Sequence, residues 1–205
     1  MSGLGYDIAH LFGAAVLLIG FTLLTGRRLA AMIRLLAVQG ILVAGLALWT
    51  AWTAGIPALL ITGGITLVLK GALVPYVLTR LRRKLPPPPL ATGRLAPILL
   101  SALALTALAI LLMMPVANVL GGLAREQLAI ALSAIFLALL LMIARSELLA
   151  QVVAFFALEN GLILAAVSAA GMPLVVEMCI ALALLGVLGL AGLISLGHAG
   201  LREVE

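Results

Sequence analysis

Charge is scarce in this chain: only 9% of its 205 residues are Asp, Glu, Lys or Arg. A soluble domain carries roughly 25%, and seven acidic residues cannot coat the surface of a globule this long. A water-facing fold is excluded on that ground, and lipid is the expected solvent. Aromatic residues contribute 4%, and there are two histidines and one cysteine, Cys179. A single thiol rules out an internal disulfide, an iron–sulfur cluster and a cysteine-based zinc site. The two histidines, His10 and His198, are expected at opposite membrane faces, in contact with interfacial water. No Ser–His–Asp set, metal-ligand cluster, phosphate loop or haem-ligand pair is present. The chain is expected to be no enzyme by itself and to hold no cofactor. The net charge of +5 does not point to nucleic acid, because the basic residues flank apolar runs. No cleavable leader is expected, since the first apolar run follows Asp7 and His10 rather than a basic segment.

What the chain does have is apolar length: 65% hydrophobic residues and a mean hydropathy of +1.36. About 20 apolar residues cross a bilayer, and stretches at 9–25, 35–54, 57–79, 96–118, 127–144, 148–170 and 173–197 reach or approach that length. None alternates with period two, so helices rather than barrel strands are expected. The fold class is therefore all-α, a polytopic membrane protein of about seven transmembrane helices. Positive charge orients it. Arg27, Arg28, Arg34, Arg80, Arg82, Arg83, Lys84, Arg94, Arg145 and Arg202 fall on one side of such a bundle, and Arg125 falls opposite. The N-terminus is then outside, the C-terminus inside, and the location the cytoplasmic (inner) membrane. A run of prolines, Pro86–Pro89, favours an extended linker over 85–96. It separates a three-helix unit (1–84) from a four-helix unit (97–205).

Three ionisable residues are expected within the membrane rather than at its edge: Lys70, Glu159 and Glu177. A charge at the bilayer centre costs about 2.5 to more than 10 kcal/mol and is kept for a partner or a pathway. Glu159 lies about 11 residues into its helix, or ~17 Å at 1.5 Å per residue. Stepping back by fours reaches Phe155, Gln151 and Glu147 on the same face, a track from the inner surface to a mid-membrane carboxyl. Glu147 stands where a helix N-terminus favours an anion. Asn160 adjoins Glu159 and offers a site for water. The Glu159 carboxyl is then neutral, paired with a cation such as Lys70, or solvated by internal water; the alternative to a pathway is a neutral Glu159 that only joins helices. Lys70 follows Thr62 and Thr66 on a second polar stripe. It either pairs with a carboxylate or snorkels to the inner surface. Glu177, four residues after Pro173, is expected nearer the outer surface.

Three segments carry a family resemblance. ARSELLAQVVAFFALENGLILA (144–165), RRLAAMIRLLAVQG (27–40) and LVLKGALVPYVLTRLRR (67–83) resemble the hydrogenase-4 component E family. The C-terminal part of that family is similar to the K subunit of respiratory complex I and the C subunit of multisubunit cation/proton antiporters. The resemblance implies a K-like three-helix core at about 127–197. It also implies a proton or ion pathway through Glu159, Lys70, Glu177, Glu147, Gln151 and Asn160. The implied function is that of a non-catalytic membrane-arm subunit in a complex-I-like assembly of the group 4 nickel–iron hydrogenase or formate hydrogenlyase type. Its partners would be antiporter-like and quinone-site-like subunits, soluble hydrogenase subunits at a distance, and the lipid bilayer. An antiporter subunit without a redox partner and a passive helical scaffold are the alternatives. One departure stands out: where the family often has an Asp six positions after the residue matching Glu177, this chain has Ala183.

Overall fold

The computed structural model describes residues 3–83, 95–115 and 122–168, with Gly186 and Gly189. Glu177, His198, Cys179, the proline run and nearly all of the expected last helix (173–197) lie outside the described residues. Regular structure among the described residues is helical throughout: α1 (Gly3–Thr25), α2 (Leu29–Ala54), α3 (Pro57–Thr66), a wide π-type stretch (Leu67–Leu73), α4 (Val74–Arg82), α5 (Leu95–Met113), α6 (Gly122–Ala144) and α7 (Leu148–Ser168). Because α3, the π stretch and α4 run on without a break, they make one span, and six spans are long and apolar enough to cross a membrane. The chain is a multi-pass membrane protein.

Helix ends differ from the hydropathy reading chiefly by extension at the start, with α5 the exception, ending at Met113 rather than 118. α2 starts at Leu29 rather than 35, and α6 at Gly122 rather than 127. Arg34, Arg125 and Glu126 are therefore helical. Apolar runs mark the part of a helix in hydrocarbon, whereas the backbone continues its hydrogen bonding through the interface. Turns follow local chemistry. α2 stops at Gly55, whose φ of 67° is left-handed, the conformation glycine adopts without a Cβ penalty. Pro57 then opens α3, where a missing N–H costs nothing. At the other end, Arg145 donates from its guanidinium to the carbonyls of Leu24 and Gly26. A cation thereby closes the C-terminal end of α1 from the α6–α7 turn.

The π stretch has a visible cause. Pro75 has no N–H, and in a regular helix its ring would collide with the carbonyl four residues back, at Gly71. The wider turn relieves this, and Val74 N–H instead reaches Leu69 O, five residues back. The consequence is a straight buried row. Thr62, Thr66, Lys70, Val74 and Leu78 are spaced by four and all buried. In an unbroken α-helix each such step turns by about 40°, so the row would swing round by roughly 160°. Unwinding in the middle returns it to the core.

Packing follows sequence neighbours and two longer pairings. α1 lies against α2 and α6, α2 against α7, and α6 against α5 and α7. The helices before and after the 84–94 segment thus share one bundle. α5 is the least buried span, with 11% of its window inside, and its Leu100, Leu103 and Leu111 are exposed. The apolar core falls into two clusters. One, toward the arginine-rich face, contains Leu24, Leu36, Leu78, Leu141 and Val153. The other, toward the start of α1, contains Val16, Val43, Ala134 and Leu164.

Candidate functional site

Between these two apolar clusters runs a polar layer. Gln39 on α2, Thr62, Thr66 and Lys70 on the split span, and Glu159 and Asn160 on α7 are all buried. On each element these residues lie, in sequence, between members of one cluster and members of the other. Lys70 Nζ stands 3.3 Å from Glu159 Oε2, and the two side chains are 4% and 1% exposed. The lysine therefore points across the bundle instead of snorkelling. Asn160 Nδ2 donates to Gln39 Oε1 at 3.1 Å, and Gln39 Nε2 donates to Val16 O at 3.4 Å. Glu159 and Asn160 are consecutive, so one turn of α7 carries both the charged pair and the start of an amide chain that ends on α1.

Glycines let these groups meet. A Cβ on Gly40 would lie 2.8 Å from Lys70 Cβ and 3.3 Å from its backbone carbonyl. Only a bare backbone lets α2 approach the π stretch this closely. Gly161 does the same for α6 and α7, where a Cβ would meet Ile135 Cγ1 at 2.8 Å and its backbone N at 3.1 Å.

The remaining expected site residues take other places. Glu147 directly precedes α7, and its carbonyl accepts the amide of Gln151 at 3.0 Å. The Gln151 side chain donates to Arg145 O at 3.0 Å, so it braces the α6–α7 turn and is not in contact with Glu159. Phe155 stands between them in sequence, edge-on to Phe156 with ring centroids 5.7 Å apart. Phe156 in turn lies against Gly186. Glu177 is outside the described residues. His10 is more than a solvated interfacial residue, for its Nε2 lies 2.8 Å from Glu126 Oε2. No group of three His, Cys, Asp or Glu suited to a metal occurs among the described residues.

Gln39 was the residue missing from the sequence reading. Its signal was there: a lone amide beside a glycine in the apolar run LLAVQGILVAG. An uncharged side chain raises no alarm in a charge count, yet a buried amide needs partners just as a charge does.

Comparison with known proteins adds little that bears on chemistry. No family model matches the chain, and no solved structure matches it. It is 30% identical over 185 residues to the uncharacterized protein Rv0085 of Mycobacterium tuberculosis, an alignment covering 87% of this chain and 83% of that protein. At that identity and coverage, the chain belongs to the same family as Rv0085.

Proposed function

We propose that this chain is a non-catalytic membrane subunit of a complex-I-like energy-converting assembly, of the group 4 hydrogenase or formate hydrogenlyase type. There it takes part in proton or sodium translocation driven by redox chemistry in partner subunits. The observation that carries this reading is the Lys70–Glu159 pair, buried midway along the two spans that hold it and adjoining the Asn160–Gln39 amides. A buried pair is weak evidence for stability, since desolvation offsets most of its attraction. Ionisable groups inside a membrane protein are thus better explained by a pathway than by adhesion. The family resemblance of 27–40, 67–83 and 144–165 supports the same reading.

The test is Glu159→Gln, which keeps size and hydrogen bonding but removes the titratable proton. The change also takes the carboxylate from buried Lys70 and so weakens the bundle; the complex that assembles is expected to pass electrons to artificial acceptors while losing most ion uptake per electron in reconstituted vesicles. Wild-type uptake by an assembled mutant would leave Glu159 a structural residue. Glu159→Asp is expected to keep part of the uptake.

The reading includes seven crossings of the inner membrane, with the N-terminus outside. Cysteines at Asp7 and Met114, both exposed at helix ends, are expected to label from the outside of intact cells. Those at Arg83, Ser146 and Gly200 should label only after permeabilisation. Labelling of Asp7 and Arg83 from the same side would overturn this topology, and external labelling at Gly200 would remove the seventh crossing.

A further inference from the structure

Three contacts with polar side chains stand one above another along α1. Val16 O receives Gln39, Gly13 faces Gln127, whose Oε1 would lie 3.0 Å from a Cβ there, and His10 meets Glu126 at 2.8 Å. Positions 16, 13 and 10 are spaced by three, so they share a side of the helix and climb about 4.5 Å per step. The steps lead from the mid-membrane layer toward the start of α1, away from the arginine-rich face. The middle step is the least expected. Gln127 is 4% exposed, and neither its amide nitrogen nor its oxygen has a hydrogen-bond partner among the described residues. Asn160 Oδ1 at the base of the ladder is also buried with no hydrogen-bond partner there. A buried amide left without partners weakens the fold, where a methionine of similar size would cost nothing of the kind. Gln127 is therefore no adhesive between α1 and α6.

We propose that the α1–α6 seam is the outward leg of a proton path, running from Glu159 through Asn160, Gln39 and Gln127 to Glu126 and His10. The inference rests on the translocation role proposed for Glu159 and adds the exit to it. Along this leg the amides do not titrate. They orient water, through which the proton given up by the Glu159 carboxyl is handed on by hydrogen-bond exchange. At its end the Glu126–His10 pair, 39% and 29% exposed, accepts the proton and releases it to solvent. Glycine at 13 lets α1 approach Gln127 closely, since a Cβ there would meet its Oε1 at 3.0 Å and Ile130 Cδ1 at 3.2 Å.

Two measurements test the leg, both on the chain within its assembled complex. In a Cys179→Ser background, Gln127→Cys is expected to react with a small, charged, water-borne thiol reagent applied to the outside of intact cells. Ala131→Cys, one turn deeper and facing the apolar cluster, should not react. In reconstituted vesicles, Gln127→Met is expected to assemble at wild-type level with unchanged electron transfer. Its proton uptake per electron should fall roughly tenfold, as about 1.4 kcal/mol of added barrier brings. An unreactive Gln127→Cys would overturn the proposal. So would wild-type uptake by Gln127→Met in vesicles where Glu159→Gln has lost it. Wild-type uptake by Glu159→Gln instead overturns the translocation role, and the exit with it.

Discussion

Replacing Lys70 with methionine, and nothing else, is expected to destabilise the bundle by about 3–5 kcal/mol, the cost of removing one partner of a buried ion pair. The methionine fills the lysine's stem volume, so little of this comes from a cavity. It arises because the Glu159 carboxylate loses the cation 3.3 Å away in a layer walled on both sides by apolar clusters. The decisive comparison is the double mutant Lys70→Met, Glu159→Gln. With neither charge present, most of the loss should return, because desolvation no longer has to be offset. Thermal unfolding of the assembled complex in detergent, read on the four members of this cycle, checks the claim. A double mutant as unstable as the single one would mean that Lys70 acts through its packing, not its charge. Lys70→Arg should fall between, since it keeps the charge but replaces a compact ammonium with a planar fork.

The second large effect is expected at Gly40. Leucine there must displace Lys70 Cβ and backbone, which stand 2.8 and 3.3 Å from the position its own Cβ would take. Overpacking of a tight core costs typically about 1–3 kcal/mol. Here the obstruction is main chain rather than the tip of a flexible side chain, so the upper part of that range is expected. The shift moves α2 off the π stretch and draws the ammonium from its carboxylate, and ion uptake should fall with stability. Gly64→Ala is the control. Nothing lies within 4 Å of its Cβ position, so helix propensity alone should act, in the stabilising direction by about 0.5–1 kcal/mol. Melting temperatures of the two variants check both statements. Equal behaviour would show that the contact at Gly40 carries no energetic weight.

How much of this was legible beforehand depends on the physical signal each feature leaves. Apolar length announced the helices, because hydrocarbon admits few other backbones. The mid-helix position of Lys70 and Glu159 followed from counting residues along those helices. That Glu159 takes Lys70 as its cation was one option among several, since helix-to-helix neighbours leave no periodic trace in one sequence. The π stretch was hidden for a different reason: Pro75 signals an irregularity but not whether the helix kinks, breaks or widens. The row at 62, 66, 70, 74 and 78, too straight for a 3.6-residue period, was the readable clue. The Gln39–Asn160 bond escaped because neutral amides are not counted as charges. Likewise, the face traced through Gln151 held in register but not in contact, because Gln151 bonds the Arg145 carbonyl instead.

The grip of Arg145 on the end of α1 also sets a timetable. The guanidinium is 119 residues downstream of Gly26, and ribosomes add about 5–20 residues per second. For many seconds after α1 enters the bilayer, then, its last carbonyls must be served by interfacial water. Only when the α6–α7 turn emerges can the latch close. An Arg145→Ala chain would consequently match the wild type until that turn emerges and part from it only afterwards, as a finished protein whose first helix stays unlatched and more open to membrane proteases.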